Sequence, residues 1–416
     1  MSDTPVGKLS RAAWMDSPET LKLMLALCGD SDDNGDEARF VGGCVRDVIL
    51  NYSVFDIDIA TSHSPEEVMR RLKNAKIKAI PTGIEHGTIT AVVDGVNYEI
   101  TTLRRDVETD GRHAVVAFTD NWKEDARRRD FTMNALYCNI RGDIYDYFDG
   151  LEDARQGIVR FIDDPTSRID EDVLRILRFY RFHAHYGKAD PLPEARMACR
   201  NGAKDLTNLS AERIRIEILK LLQAANCAVV WRMMAEDGIL DIILKSARDT
   251  ANLEHLVCIE QAFEGKSYIP RRLASLIGFD AEAAEQIAAA LKLSNADRKT
   301  LIRICDPKAR LDYDTPAPQM RQEIYRHGIE DVLNHLLMTA AIDKTPVEKV
   351  TPPYHLIIRT RLPRLPVNGD DLIERGLKPG PDFGQTLKAV EQWWLHEDFE
   401  PGRTACLKKL DELIAG

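Results

Sequence analysis

Residues 40–60 read Phe-Val-Gly-Gly-Cys-Val-Arg-Asp-Val-Ile-Leu-Asn-Tyr-Ser-Val-Phe-Asp-Ile-Asp-Ile-Ala. At its end Asp56 and Asp58 alternate with Ile57 and Ile59. On a strand this period of two projects both carboxylates from one face and buries the isoleucines on the other. Like charges held that close repel unless a cation lies between them, and hard oxygen ligands suit Mg²⁺. Upstream, the apolar pair Phe40 and Val41 runs into Gly42 and Gly43, after which residues 44–50 read as the opening of a helix. Glycines at a strand-to-helix turn let backbone N–H groups approach a phosphate, and Arg46 adds a charged donor. Taken singly, a Gly-Gly pair is a tight turn and an Asp-x-Asp pair a solvated loop. In the order strand, Gly-Gly, helix, Asp-x-Asp strand they describe a site for a triphosphate and a divalent cation.

The surrounding chain bounds what that site serves. A length of 416 residues at 44% hydrophobic content sustains two or more domains with a sizeable core. Eight cysteines lie singly, with no Cys-x-x-Cys, so reduced thiols in a cytoplasmic protein are expected and zinc is not. Residues 1–17 show neither a secretory nor a transit signal, and no apolar run is long enough for a membrane partner. The net charge of −11 opposes nucleic-acid binding on average. It is uneven, however: residues 155–220 carry 13 Lys and Arg against 10 Asp and Glu, a stripe able to bind where the mean repels. The acidic excess lies elsewhere, notably at residues 30–37 and near the C-terminus.

The first 150 residues read as mixed α/β. Residues 21–27 are helical after Ser17-Pro18, Ser64-Pro65 with Glu67 opens a helix through about Asn74, and residues 88–93 and 98–103 flank Asp94-Gly95 as a hairpin. From Asp170 onward apolar residues recur at helical spacing, with breaks near 187–193, 265–270, 312–318 and 351–366. On residues 97–103, Glu99, Thr101 and Leu103 share one face; Glu99 is either a third metal-facing acid or an edge glutamate in solvent.

Residues 40–60 resemble the nucleotidyltransferase signature of the family of class II tRNA CCA-adding enzymes and bacterial poly(A) polymerases. Segments 83–90, 98–106, 128–135, 146–160, 171–181, 210–217 and 365–384 match that family in order. The resemblance implies an α+β chain: a nucleotidyltransferase head (polymerase β-like mixed sheet with helices, 1–150), then a helical neck (151–225), body (226–315) and tail (316–416). It also implies Mg²⁺-dependent, template-independent addition of CCA to tRNA 3′ ends from CTP and ATP, with release of pyrophosphate. Asp56, Asp58 and Glu99 become the catalytic, metal-holding acids. Gly42, Gly43, Arg46, Arg129, Asp130, Glu171, Asp172, Arg175, Arg178 and Arg181 become the nucleotide site. An A-only relative shares every one of these motifs, and a catalytically inactive RNA-binding module stands as an alternative from another class.

Asp172 and Arg175 are i, i+3 neighbours, setting a carboxylate acceptor beside a guanidinium donor. Cytosine and adenine present the complementary donor and acceptor, whereas uracil and guanine reverse the pattern. The bland reading is an exposed helix laced by ion pairs. Glu171 is placed to position Arg175 from one turn away, and Arg178 and Arg181 continue the row toward the phosphates or sugar, or pack against the sheet. Residues 104–122 correspond to the family's flexible loop, Asp149-Gly150 and Asp153 to its hinge, residues 210–217 to a buttress, and 365–384 to the segment that holds the tRNA elbow. Asp47 reads as an ion-pair or helix-dipole partner, Cys44 as packing, and Trp393-Trp394 as core.

Overall fold

The computed structural model describes residues 4–29, 37–109, 114–247, 250–263, 267–309, 311–378 and 380–415, and the chain divides into two compact units, Met1–Lys245 and Ser246–Gly416. In the first unit the strands are β1 (Gly7–Lys8), β2 (Ala38–Val41), β3 (Asp58–Thr61), β4 (Lys78–Gly83), β5 (Thr88–Val93), β6 (Val96–Thr102), β7 (Arg104–Thr109), β8 (Ala114–Phe118), β9 (Leu136–Cys138) and β10 (Asp143–Asp146). Eight of them form one sheet in the order β1-β10-β9-β2-β3-β6-β5-β4, while β7 and β8 pair apart as a two-stranded ribbon. The segment expected as a loop is therefore a ribbon, and its tip, residues 110–113, lies outside the described residues.

The sheet is covered on both sides, which is why alternation in its strands is apolar against apolar as often as apolar against polar. Helices α1 (Pro18–Cys28), α2 (Gly43–Ile49) and α3 (Pro65–Asn74) bury Leu23, Leu27, Val45, Val68 and Leu72 against Phe40, Ile59 and Ile100. On the opposite face Val41, Ala60 and Leu103 meet Trp122, Ala126 and Tyr137. Local chemistry sets the helix starts: Ser17 and Ser64 each accept an N–H from the first turn, with proline at the next position. The β5–β6 hairpin closes where expected, with Asp94 at φ 48° and Gly95 at φ 91°.

One expectation fails at the decisive block. Strand β3 begins at Asp58, and residues 52–57, Asp56 among them, have no regular structure. The cause is the turn at Gly42: β2 pairs Phe40 with Ile59, and beyond Val41 the chain leaves the sheet, so β3 has no antiparallel neighbour before Asp58. Gly42 takes φ 72°, a left-handed conformation that favours glycine.

After β8 the first unit is carried by α4 (Trp122–Arg127), α5 (Gly150–Gln156), α6 (Pro165–Glu171), α7 (Leu174–Tyr186), α8 (Pro193–Gly202) and α9 (Ala211–Gln223). The second unit is helical among its described residues. Its buried clusters centre on Leu336 and Tyr354, which stacks on Phe263 at 4.0 Å, and on Trp394, as expected of a core tryptophan. The break expected within 351–366 starts late, because helix Val347–Arg359 runs through Pro352 and Pro353. Burial of Val350, Pro353, Tyr354 and Ile357 along one side outweighs the lost backbone donors.

Two glycines predict opposite outcomes. At Gly150 an added Cβ would sit 2.1 Å from the Thr132 carbonyl oxygen, a backbone atom that cannot swing away. Gly150→Ala is expected to destabilise the first unit by roughly 1–3 kcal/mol in urea denaturation. Gly384, in helix Pro381–His396, has open space around it, so Gly384→Ala is expected to stabilise the second unit by about 0.5–1 kcal/mol. Shifts of the same sign would contradict the packing described.

Candidate active site

Strand β3 runs parallel to β6, and the register sets Asp58 beside Glu99. Two carboxylates are thus fixed on adjacent strands, and Asp56 follows from the approach to β3. Because β6 lies between β3 and β5, Glu99 is not on an edge strand; it is nonetheless exposed, and it lies in register with Asp58. Burial and the charges of Glu99 and Asp56, opposed by Arg129, push the Asp58 carboxyl up to about 6. Cys44 is a packing thiol: its Sγ lies 3.4 Å from the Val41 carbonyl oxygen and burial pushes it up to about 12.

Asp56 and Asp58 open onto a cavity of about 600 Å³ together with the Gly42-Gly43 turn and six arginines: Arg46, Arg128, Arg129, Arg175, Arg178 and Arg181. Each guanidinium is held. Arg46, expected as a free phosphate donor, is instead buried, donating to Asp47 at 2.9 Å, to Asn134 and to the Tyr186 hydroxyl at 2.7 Å. Asn134 passes the network on by donating to Asp130 at 2.9 Å, and Asp130 accepts from Arg178 at 2.7 Å. Arg178 and Arg181 are therefore anchored on Asp130 and Glu217. Arg128 and Arg129 share the buried Asp125; burial opposes its charge, yet the two cations and the Tyr137 hydroxyl hold it down to about 2. Phe182 lies beneath three of the guanidiniums, with Arg181 at 4.4 Å, Arg46 at 5.2 Å and Arg178 at 5.5 Å.

The i, i+3 relation of Asp172 and Arg175 does not hold as one helical face. Helix α6 ends at Glu171, α7 begins at Leu174, and Asp172 sits between them with φ −151°. Its own side chain drives the break, since Oδ1 accepts the Leu174 N–H at 3.1 Å. Asp172 and Arg175 still line the same cavity. Glu171 holds Arg175 at 2.6 Å across one turn, as expected, and Arg175 also donates to the backbone oxygens of Arg168 and Arg128 at 2.8 and 3.1 Å. Arg213 was not foreseen: its Nη2 donates to both Asp172 oxygens, at 3.0 and 2.9 Å. It sits 41 residues away on α9, so only the three-dimensional packing of α9 on α7 reveals it. Asn134 also went unnamed, because nothing local marks it as a partner for Arg46, 88 residues away; Asp125 went unnamed although Arg128 and Arg129 follow it by only three and four residues.

The donor set fits a hard divalent cation. It is all oxygen, and the Asp58 carboxyl is raised first by burial and then by the neighbouring charges of Glu99 and Asp56, with Arg129 opposing them. Among the described residues no three His, Cys, Asp or Glu side chains assemble into a metal-holding group. The raised Asp58 carboxyl has a stability signature. Asp58 titrates higher in the folded chain than in the unfolded one, so its contribution is fully present below about pH 4 and is lost as pH rises through about 6. In chelator, thermal melting is expected to show Asp58→Asn gaining on the parent protein between these limits, and a pH-independent difference would contradict the assignment.

Residues 38–160 match the family model described as the poly A polymerase head domain, and residues 192–250 that described as a probable RNA and SrmB-binding site of polymerase A. The mitochondrial CCA tRNA nucleotidyltransferase 1 of Danio rerio is 31% identical over 385 residues, spanning 90% of this chain and 87% of the relative. A CCA-adding enzyme of Lactobacillus delbrueckii subsp. bulgaricus is 34% identical over 370 residues, spanning 86% and 90%. The crystal structure of the Bacillus stearothermophilus CCA-adding enzyme in complex with CTP superposes with a TM-score of 0.72 at 29% identity, covering 96% of this chain and 98% of that one. Matched along most of both lengths at this identity, the chain belongs to the family of class II CCA tRNA nucleotidyltransferases and poly(A) polymerases.

Proposed function

We propose that this protein completes the 3′ CCA end of tRNA from CTP and ATP, releasing pyrophosphate. One observation carries the reading: Asp172 and Arg175 face the cavity that holds Asp56 and Asp58, each with hydrogen-bonding capacity to spare. A carboxylate offers about four lone pairs. Leu174 and Arg213 occupy two on Asp172 Oδ1 and Arg213 one on Oδ2, leaving an acceptor on Oδ2. Of the five N–H groups of Arg175, three are engaged, leaving Nε and one Nη2 donor. A free acceptor beside free donors complements the amine and ring nitrogen of cytosine or adenine and mismatches uracil and guanine. Buried mismatches of this kind discriminate by roughly 10⁴-fold or more.

The acids and the turn supply the rest. Asp56 and Asp58 would hold Mg²⁺, with Glu99 in register beside them; such an ion would supply charge neutralisation for an attacking oxygen and a departing pyrophosphate. The Gly42-Gly43 backbone, with Arg129 and Arg178 lining the same cavity, receives the triphosphate. The RNA 3′ hydroxyl gives up its proton to solvent as its oxygen bonds to the α-phosphorus, and the bond from that phosphorus to the oxygen bridging to the β-phosphate breaks, so that pyrophosphate leaves. No side chain becomes covalently attached. On a division into head (1–150), neck (151–225), body (226–315) and tail (316–416), these steps would fall to residues 1–225 and tRNA holding to the remainder, tail segment 365–384 included. No described helix is long and apolar enough to cross a membrane, and substrates of this kind fit a cytoplasmic enzyme.

The test supplies tRNA lacking its last three nucleotides with CTP, ATP, UTP and GTP, singly and together. Addition of C, C and A followed by arrest is expected; incorporation of A alone onto any RNA end would overturn the reading in favour of an A-only polymerase. The same assay examines Arg213 as a positioning residue. Arg213→Ala is expected to lower the CTP-over-UTP ratio of kcat/KM by about 10-fold or more, with partial rescue by Arg213→Lys. Equal loss for both nucleotides would show that Arg213 only supports the fold.

A further inference from the structure

Phe55 is 90% exposed, well beyond the next most exposed large apolar side chain among the described residues, Met197 at 60%. Scattered apolar exposure on a surface needs no explanation, but this residue is not scattered. It immediately precedes Asp56 and lines the same cavity as Asp56, Asp58 and Arg175. Its neighbours Val54 and Ile57 pack against the core of the sheet, so the segment has apolar anchors and Phe55 is turned outward between them. The other aromatic lining the cavity, Phe182, is buried and its ring is engaged by arginines. Phe55 alone offers that cavity an open ring.

We propose that Phe55 is the stacking platform for the 3′-terminal base of the RNA acceptor. The inference rests on the nucleotidyltransferase reading of the site and adds a second base-binding subsite to it. The acceptor's 3′ oxygen has to reach the acids, so its terminal base lies within a nucleotide's span of Asp56, the residue next to Phe55. The incoming base has a different place, against Asp172 and Arg175. The chemistry of the two subsites also differs as the reaction demands. The incoming base is selected, which calls for hydrogen-bond donors and acceptors. The terminal base of the acceptor changes with every addition, which calls for a contact indifferent to identity; every base has a π-face, and stacking on an aromatic ring tolerates any of them.

The experiment uses the full-length protein and acceptor RNAs ending in an ordinary or an abasic 3′ nucleotide, with CTP as donor. Since base–aromatic stacking is lost with the ring, Phe55→Ala is expected to raise KM for the ordinary RNA by about 5- to 150-fold while KM for CTP moves less than about twofold, and Phe55→Trp to retain parent behaviour. The abasic RNA should bind the parent protein worse by the same factor and lose nothing further in Phe55→Ala. An unchanged KM for RNA, additive losses from the abasic end and the variant, or a rise confined to KM for CTP would each overturn the proposal. Because the side chain is exposed, unchanged thermal melting is expected of the variant, and a lowered midpoint with unchanged RNA affinity would likewise count against a binding role. A parent protein that extends neither RNA defeats the functional reading itself rather than the role of Phe55.

Discussion

Six arginines open onto one cavity, and like charges so disposed repel; what lets them coexist is a carboxylate behind each. Asp47 serves Arg46, Asp125 serves Arg128 and Arg129, Glu171 serves Arg175, Asp130 serves Arg178 and Glu217 serves Arg181. Five acids thus fix six cations, and the surplus positive charge stays small until an anion arrives. The arrangement also explains a chain that is acidic overall yet suited to RNA and triphosphates. Acids near the site are spent on holding arginines in place, so the net charge of −11 says little about the field inside the cavity.

The second constraint is the single parallel pairing in the sheet. Of the neighbouring pairs in the sheet only β3 and β6 are parallel, and their register is what sets Asp58 against Glu99. A slip of one residue would turn Glu99 to the opposite face, into the layer that holds Tyr98 and Ile100. Burial on both faces makes such a slip costly, so the same apolar packing that stabilises the head also fixes the spacing of its acids. Fold stability and site geometry are one quantity here, seen from two sides of a strand.

What could be read in the sequence was local. The Gly-Gly turn, the serine-capped helices, the Asp94-Gly95 hairpin and the i, i+4 contact of Glu171 with Arg175 each depend on residues within a turn of one another, and each is present. The reading failed where a side chain competed with its own backbone, as at Asp172, whose carboxylate takes an N–H that a continuous helix would need elsewhere. It failed again where a distant packing contact outweighed a local signal, as at Pro352 and Pro353. Arg213 and Asn134 were invisible for a third reason: each matters through a partner that lies far off in sequence, at separations of 41 and 88 residues. The placement of Asp56 outside the strand combines these effects, since the alternation was real but the neighbouring strand ended too soon to use it.

The site divides into parts that are held and parts that are left open, and the division follows what each must recognise. Asp172 and Arg175 are clamped by Arg213, Glu171 and backbone oxygens, so the orientation of the few free donors and acceptors is settled before a nucleotide enters. Discrimination needs that, because a wrong base is rejected only if the protein groups cannot swing to meet it. Asp58 is held by its strand beside Glu99, and burial together with the charges of Glu99 and Asp56 raises its carboxyl against the opposing Arg129. Phe55 is anchored through its neighbours but leaves its ring uncovered, so it can accept surfaces of varying identity. On the proposed reading, rigid polar groups for selection, acids for the metal and an open apolar face for the changing acceptor are three solutions to three recognition problems. All three lie within a stretch of chain that folds around one eight-stranded sheet.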